Sequence, residues 1–383
     1  MSHLSYLEKL LDGVDVEWTT LGNEYAVEIA NSGRKPVKAT LRVAGQTPYY
    51  GANNIQDYVE GYTHDGEFVL IAEDGSASLE NYSIQYARGR FWANNHVHVV
   101  RGKEGLNTRF LYHYLHIVNF IPFLSGGGRA KLTKGKLVDI PLPIPCPDNP
   151  EKSLAIQAEI VRILDAFTAM TAELTAELNM RKKQYNYYRD QLLSFDEDEV
   201  EWKALGKIAE INTGQKPSEI LDTEAEFDYI NAGTTRSGFC ALSNCEGDTV
   251  TTPSRGQGGI GFVGYQNKSF WLGPLCYKIR SIDNKILINK YLFYILQSKN
   301  QLLLGLKKEG GVPAVNKSDL AKLEIPVPSI TEQERIVEIL DKFDTLATSI
   351  QEGLPREIEL RQKQYEYYRD LLLSFPKPEE SAA

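Results

Sequence analysis

The sequence has few cysteines and no long apolar run. Four cysteines occur in 383 residues, and three of them lie in the second half of the chain. No disulfide framework is therefore expected, and the thiols should be reduced and partly buried. No stretch approaches roughly 18 uninterrupted apolar residues, and the first residues lack the basic and apolar regions of a signal peptide. These absences predict a cytoplasmic protein without a membrane span.

The sequence also lacks an excess of positive charge. Its formal net charge is −9, which argues against indiscriminate binding to nucleic acid but leaves local patches open. Residues 31–42 hold four basic residues and no acid, and the same is true of residues 125–136. Acidic residues gather at 196–201 and 222–228. Each charged run can also be a solvated surface, so charge alone identifies no ligand.

Catalytic and metal-binding signatures are missing as well. Residues 256–261 fit G-x-G-x-x-G, but the segment that follows is β-like and rich in turn residues, which predicts a loop. His96 and His98 share a strand face, and His113 and His116 share a helix face, but neither pair has a third ligand at the usual spacing, so structural histidines are expected. No P-loop lysine motif, nucleophile elbow, amino-methyltransferase signature or nuclease core occurs. A stand-alone enzyme is therefore disfavoured.

What the sequence does contain is an internal repeat. Twelve of the fifteen residues at 181–195 recur at 361–375, and residues 160–167 resemble residues 336–343. A further match lies far upstream of each copy, where Val-Glu-Trp occurs at 16–18 and at 200–202. The offset of 180 residues (361 minus 181) is too long for a solenoid. It indicates two modules, each made of one globular domain followed by one long helix.

Proline-rich turns and the N-terminus complete the pattern. Residues 140–143 read Ile-Pro-Leu-Pro, residues 325–328 read Ile-Pro-Val-Pro, and both precede a long helix. Alternating prolines are expected to stop regular structure before that helix begins. Residues 6–11 resemble residues 188–193, the stretch that leads into the second module. The chain therefore resembles a ring of two modules that has been cut open.

A heptad pattern in the two helices predicts a coiled coil. The apolar positions keep a 4-3 spacing over about five heptads, interrupted in the first helix only at Thr171 and Arg181. At about 1.5 Å per residue, the first helix would span roughly 60 Å. In the first helix these positions are Ile160, Leu164, Phe167, Leu174, Leu178, Tyr185, Tyr188, Leu192 and Phe195. In the second they are Ile336, Leu340, Phe343, Ile350, Leu354, Ile358, Tyr365, Tyr368, Leu372 and Phe375.

Two such seams in one chain pair most economically with each other. A pseudo-two-fold relation between the modules would make the helices antiparallel. The second helix is longer by four residues, because residues 336 to 361 span 25 steps and residues 160 to 181 span 21. This stutter coincides with Gly353-Leu354-Pro355, and Pro355 should kink or interrupt the helix. The alternative is that both helices are ordinary core elements of one α+β domain.

The globular parts are predicted to mix strands with short helices. Residues 68–71, 96–100 and 261–263 are strand-like, whereas residues 108–115 and 289–296 are helical. The predicted fold class is α+β, with two mixed α/β domains separated by two long antiparallel coiled-coil helices in a pseudo-two-fold repeat. The predicted boundaries are an N-terminal helical segment at 1–15, a first domain at 16–150, a first spacer helix at 151–197, a second domain at 198–329, a second spacer helix at 330–376 and a tail at 377–383.

This arrangement closely resembles the DNA-specificity (S) subunit of type I restriction-modification systems, over nearly the whole chain. Residues 143–157 and the tandem Thr-Ala-Glu-Leu at 171–178 resemble the IC subclass. The resemblance implies that each domain is a target-recognition domain reading one half of a split site in double-stranded DNA. It also implies that the helices set the distance between the halves and dock two methyltransferase subunits, with restriction and translocase subunits added for cleavage. No cofactor is expected in this chain, since S-adenosylmethionine, ATP and Mg²⁺ would bind to the partner subunits.

Glycine-rich loops with cationic and amide side chains are the predicted DNA contacts, because these side chains bind phosphates and read base edges. The candidates in the first domain are Arg34, Lys35, Asn53, Asn54, Arg88, Arg90, Arg129 and Lys131. Those in the second domain are Lys216, Thr235, Arg236, Arg255, Gln257, Lys307 and Lys308. The predicted residues of the helix seam and of subunit docking are Tyr185, Tyr188, Leu192, Phe195, Tyr365, Tyr368, Leu372 and Phe375. An alternative function is a coiled-coil scaffold that joins two protein-binding domains without DNA recognition.

Overall fold

The computed structural model describes residues 6–126, 130–196, 198–256, 258–308, 312–348 and 352–376. The chain divides into two compact units. Unit 1 consists of Met1–Leu174 and Ile358–Ala383, and unit 2 consists of Thr175–Glu357. Each unit therefore combines one globular domain with helical segments from both repeats.

Unit 1 is built on a six-stranded sheet with the strand order β2-β7-β5-β6-β3-β4. The second half of β5 is buried on both faces, because Val69 and Ile71 pack on the helical side while Phe68 and Leu70 pack in a separate cluster on the other. This explains the continuous apolar run in β5. The elements of unit 1 are α1 (Tyr6–Leu11), β1 (Val16–Thr20), β2 (Val27–Ile29), β3 (Ala44–Tyr50), β4 (Ile55–Val59), β5 (His64–Ala72), β6 (Ile84–Ala93), β7 (Val97–Gly102), α2 (Thr108–Leu115), α3 (Lys134–Leu137), β8 (Pro141–Pro145) and the first part of α4 (Pro150–Leu192).

Unit 2 contains a four-stranded sheet, β10-β16-β13-β14, and a three-stranded sheet, β12-β11-β15. The strand predicted at 261–263 is wrong: these residues lie outside strands, and β14 starts at Gly264 because only there does the chain pair with β13. After the end of α4 the elements are β9 (Glu201–Ala204), α5 (Leu205–Ile208), β10 (Ala209–Thr213), β11 (Phe227–Ile230), β12 (Phe239–Cys240), β13 (Thr249–Pro253), β14 (Gly264–Gln266), β15 (Trp271–Leu272), β16 (Cys276–Ser281), α6 (Asn289–Ser298), α7 (Asn300–Gly305), α8 (Lys317–Leu320), β17 (Glu324–Val327), α9 (Ile330–Thr348) and α10 (Leu354–Leu373).

The proline-rich segments are strands. β8 pairs antiparallel with β1, so that Pro143 lies opposite Trp18, and β17 pairs with β9, so that Pro326 lies opposite Trp202. The prediction that these prolines stop regular structure is therefore wrong. Each forms a two-stranded sheet, where proline is tolerated at positions whose N–H has no ladder partner to meet.

The two long helices differ in continuity. The first, α4, is continuous over 43 residues. The second is divided, since α9 ends at Thr348 and α10 begins at Leu354, after Gly353 with φ of +85°. Pro355 lies in the first turn of α10, where its missing N–H breaks no helical hydrogen bond. The predicted interruption near Pro355 is confirmed, while Ile350 lies outside the described residues.

Helix pairing occurs within each unit. In unit 1 the Phe167 ring stacks on Tyr368 at 5.2 Å between centroids, and in unit 2 the equivalent Phe343 ring stacks on Tyr188 at 5.5 Å. Burial at this helix contact raises the pKa of Tyr185 to about 12, and the Asp344 carboxylate on α9 adds to the rise.

The early part of each seam packs against a globular domain. Ile160 and Leu164 lie fully buried in the core of unit 1, and Ile336 and Leu340 lie fully buried in the core of unit 2. The seams are thus shared between domain packing and helix pairing. Core residues such as Ile160 and Ile336 are followed by pairing residues such as Phe167 and Phe343. Near the C-terminal ends, Leu193 and Phe375 again lie in a domain core.

Helices α1 and α10 meet in unit 1. Leu7 and Leu11 of α1 share a core with Leu372 and Phe375, and the Trp18 Nε1 donates a hydrogen bond of 2.8 Å to the carbonyl of Pro376. The repeated segment 361–375 thus joins the first domain. Its copy at 181–195 belongs to the unit of the second domain. Each copy of the repeated segment therefore lies in the same unit as one globular domain.

The cysteines have the thiol state and burial that the sequence predicted. Cys240, Cys245 and Cys276 are buried, Cys146 is half-buried, and all four are free thiols, as predicted. Burial raises the pKa of Cys276 to about 12. Over the described residues, no helix has the length and apolarity needed to cross a bilayer.

Candidate nucleic-acid interface

One loop recurs in both domains with the pattern Asn-x-Gly-x-Lys-Pro, at residues 31–36 and 212–217. In the first domain, Trp92 Nε1 donates a 2.7 Å hydrogen bond to the carbonyl of Lys35. In the second, Trp271 Nε1 donates a 2.8 Å hydrogen bond to the carbonyl of Gln215. The loops are therefore held by equivalent indoles while the side chains of Lys35 and Lys216 are exposed. Among the described residues, neither lysine forms an ion pair.

Arg34 and Lys131 both form ion pairs with Glu73 in the first domain. Arg34 Nη1 lies 2.6 Å from the Glu73 carboxylate and also donates to the carbonyl of Val97, and Lys131 Nζ lies 2.9 Å from Glu73. Burial by itself would raise the pKa of Glu73, but Arg34 and Lys131 hold it below its usual value. The Arg34 side chain is only 18% exposed, and its DNA contact stays a prediction. A DNA contact from Lys131 stays a prediction, and Arg129 lies outside the described residues.

A ladder of exposed ion pairs crosses β5 and β6. Arg88 pairs with Glu67 at 3.3 Å, and Arg90 pairs with Asp65 at 3.4 Å. Surface pairs of this kind contribute about 0 to 1 kcal/mol, so both arginines can exchange partners. The ladder is electrically neutral and carries donors and acceptors side by side. Such a surface suits base edges better than phosphates.

The predicted amides of the first domain lie in a neighbouring turn. Asn53 Nδ2 donates to the carbonyl of Gly75, and its Oδ1 accepts from the backbone N–H of Ala77, so this side chain joins two loops. Asn54 is exposed. Asn53 therefore shapes the loop, and Asn54 is the more available of the two amides.

The second domain has an open groove of about 820 Å³. Its lining includes Thr235 and Arg236, which were predicted, and Gln266 and Asn267, which were not. The Arg236 guanidinium lies 4.6 Å from the centre of the Phe239 ring and 3.5 Å from Asp228. Donors and acceptors thus share one concave surface, as base readout requires.

The other predicted cations of the second domain lie apart from this lining. Arg255 is exposed and bridges to Ala314 through the backbone, whereas Lys308 Nζ pairs with Asp319 at 2.8 Å. Lys307 is exposed, and Gln257 lies outside the described residues.

The predicted seam residues divide by burial. Tyr185, Leu372 and Phe375 are buried, and Leu192, Phe195 and Tyr365 are half-buried against the domain cores. Tyr188 and Tyr368 are 45% and 39% exposed. The neighbouring Tyr187 and Tyr367, which were not predicted, are 62% and 65% exposed. An exposed aromatic ring therefore recurs in both copies of the repeat.

Two segments of the chain, residues 16–181 and 197–360, match the family model described as type I restriction modification DNA specificity domain. The chain belongs to this type I DNA-specificity family. Each matched segment contains one globular domain and most of the helical region that follows it. The resemblance inferred from the repeat is confirmed.

Two relatives that match over nearly their whole length are named as specificity subunits of type I restriction enzymes. The chain is 47% identical over 403 aligned residues to S.HindORF215P of Haemophilus influenzae, named as a type I restriction enzyme specificity subunit, with 97% of this chain and 98% of that protein covered. It is 39% identical to the specificity subunit of the Escherichia coli type I restriction enzyme EcoR124I/EcoR124II, with 99% of each covered. The IC subclass itself stays a prediction.

The fold of the family is also found among solved structures. The S subunit of the type I restriction-modification system of M. genitalium aligns with a TM-score of 0.69 at 18% identity, covering 96% of this chain and 98% of that chain. At this identity the likeness shows the fold alone. It agrees with the predicted pair of mixed domains and long helices.

Proposed function

We propose that this chain is the non-catalytic DNA-specificity subunit of a type I restriction-modification complex. Each globular domain reads one half of a bipartite site, and the helices set the spacer between the halves. The observation that carries the proposal is the presence of two family domains with matching junctions and different loops. Loops that diverge on a common scaffold are what different half-site sequences require.

In this proposal the recurring lysines, Lys35 and Lys216, contact phosphates. They occupy a cationic loop pattern that recurs in both domains, they are exposed, and no described acid neutralises them. A contact that does not depend on sequence is expected to recur, whereas a base reader is expected to differ. The ion-pair ladder of Arg88 and Arg90 in the first domain and the groove around Arg236 in the second domain then read the bases of their own half-sites.

Changing both lysines tests this assignment. The Lys35→Ala, Lys216→Ala double variant should bind specific and random duplexes more weakly by similar factors, and the slope of log affinity against log salt should fall by about two. Arg88→Ala should instead reduce discrimination at one half-site. Band shifts over a salt series, with and without the co-expressed methyltransferase subunit, measure both effects. An unchanged salt slope would exclude the phosphate contacts, and no DNA binding with or without that subunit would favour the protein scaffold.

The proposed complex contains two methyltransferase subunits, one for each copy of the repeated helix segment. Support comes from the two matching surfaces, in which Tyr187 stands beside Arg189 and Asp190 and Tyr367 stands beside Arg369 and Asp370. Two equal surfaces are expected to bind two equal partners. S-adenosylmethionine, ATP and Mg²⁺ would bind to the methyltransferase and restriction subunits, and the complex would act in the cytoplasm.

Single substitutions of the exposed tyrosines test the stoichiometry. Tyr187→Ala and Tyr367→Ala should each remove one methyltransferase copy at limiting partner concentration, and the double variant should remove both. Native mass spectrometry of the purified complexes counts the copies. Exposed Tyr25, which is outside the repeat and 93% exposed, provides the control variant Tyr25→Ala. Two copies retained in the double variant would place the docking surface elsewhere.

A further inference from the structure

Each globular domain is joined to its long helix at two polar points that lie eight residues apart on that helix. The first point is Gln157 in unit 1 and Gln333 in unit 2, and the second is Asp165 and Asp341. The spacing is the same in both copies, since 165 minus 157 and 341 minus 333 both equal 8. Eight residues correspond to about 12 Å of helix.

The glutamine points make the same backbone contacts in both units. Gln157 Oε1 accepts from the N–H of Asn107 at 2.8 Å, and its Nε2 donates to the carbonyl of Gly105 at 2.9 Å. In unit 2, Gln333 Oε1 accepts from the N–H of Ile288 and its Nε2 donates to the carbonyl of Ile286, both at 2.9 Å. Both glutamines are fully buried. Each glutamine therefore binds the turn immediately before α2 or α6 through both the N–H donor and the oxygen acceptor of its side-chain amide.

The aspartate point of unit 1 binds the side chains of α2. Asp165 Oδ1 lies 2.8 Å from Arg109 Nη2 and 2.8 Å from His113 Nε2. The Arg109 guanidinium is held between two rings, 4.5 Å from the centre of Tyr86 and 4.6 Å from that of Tyr112. These contacts fix the rotation of α2 about its own axis, because Arg109 and His113 are one turn apart on one face.

The aspartate point of unit 2 has the same geometry with different side chains. Asp341 accepts a short hydrogen bond from the Tyr294 hydroxyl and pairs with Lys290 Nζ at 3.3 Å. Lys290 lies over the Tyr265 ring at 4.2 Å. Lys290 and Tyr294 follow Arg109 and His113 at the same offset of 181 residues (290 minus 109 and 294 minus 113). The aspartate is shared by the repeats, and its partners belong to the divergent domains.

From this geometry we infer that Asp165 and Asp341 are positioning residues, each of which orients one domain on its helix for reading one half-site. Apolar packing between helices is non-directional, whereas hydrogen bonds depend steeply on angle. Two polar points on one helix fix both the placement and the rotation of α2 or α6. The strands and loops of each domain are expected to change orientation together with that short helix. The inference rests on the proposed function.

Truncation of each aspartate tests the inference in the full chain assembled with its methyltransferase. Asp165→Ala should lower discrimination at the half-site read by the first domain by about tenfold and leave the other half-site within about twofold, and Asp341→Ala should do the reverse; a tenfold change is the size expected for a charged hydrogen-bonding group. Exposed Glu173→Ala and Glu334→Ala remove a carboxylate from α4 and α9 and should match the wild-type chain.

Competition with duplexes altered in one half-site measures discrimination, and amide hydrogen exchange gives a second readout that needs no DNA. Asp165→Ala should speed exchange in α2 and leave α6 unchanged. Equal loss at both half-sites, or unchanged exchange in α2, would overturn the inference. If the wild-type complex showed no sequence preference at all, the proposed function would fail, while the exchange result would still decide whether the aspartate orients the domain.

Discussion

At the residue scale, the two units differ in their histidine content. All six histidines of the chain lie in the first 116 residues. Burial lowers the pKa of His98 and of His113, and it lowers the pKa of His116 to about 4. His113 keeps a hydrogen bond to Asp165, which opposes the effect of burial without cancelling it. These three histidines are therefore neutral in the folded protein near pH 7.

Acid should consequently loosen unit 1 before unit 2. The unfolded chain binds protons at these histidines near pH 6.5, whereas the folded chain binds them only at lower pH, so stability falls as the pH drops below about 6.5. At pH 5 the loss from His116 alone is about 2 kcal/mol. Hydrogen exchange at pH 7 and pH 5 should show faster opening of β5 to β7 and α2, with β10, β13 and β16 little changed. His116→Phe should reduce the difference, and an equal response of both units would contradict the assignment.

The hydrogen-bond partners of individual side chains could not be predicted from the sequence. The histidine pairs were predicted to be structural, and His98 and His113 have structural contacts, because each binds a polar group within unit 1. Their partners Leu132 and Asp165 lie 34 and 52 residues away, beyond any local pattern. Lys35 and Lys216 were predicted one by one, whereas the loop pattern that they share and the indoles that hold it became evident only from the fold.

At the element scale, periodicity predicted the helices well and the proline-rich strands poorly. The heptad pattern located α4, and α2 was predicted with its bounds. Local proline rules failed at β8 because its partner β1 lies more than 120 residues earlier in the chain, as in the pair Thr20 and Pro141 (141 minus 20). Strand pairing depends on such distant segments, whereas a helix closes its hydrogen bonds locally.

Helix α4 offers an adjustable length. Residues 171–174 and 175–178 repeat Thr-Ala-Glu-Leu, and the boundary between the units falls between Leu174 and Thr175. One more copy would add about 6 Å of helix and nearly preserve the face that the flanking residues present. We predict that this insertion keeps both half-site sequences and lengthens the unspecified spacer by about one or two base pairs. Mapping of methylated sites measures it, and an unchanged spacer with full activity would show that α4 does not set the distance.

At the scale of the whole molecule, modules and units are not the same segments. The second domain lies between two repeated junctions, so it can be exchanged without touching the core of unit 1. Residues 200–325 comprise β9 to the middle of β17 and leave Gln333 and Asp341 on α9 in place. A donor domain must therefore carry hydrogen-bonding side chains at the positions of Lys290 and Tyr294. This requirement defines which relatives are suitable donors.

The most direct measurement maps methylated adenines in cells that carry the intact chain or a chain with residues 200–325 replaced by the matching domain of a relative. The account predicts a bipartite methylated site in which the exchange changes one half and preserves the other half and the spacer. A change in both halves, or a site that does not respond to the exchange, would contradict the assignment of one half-site to each domain.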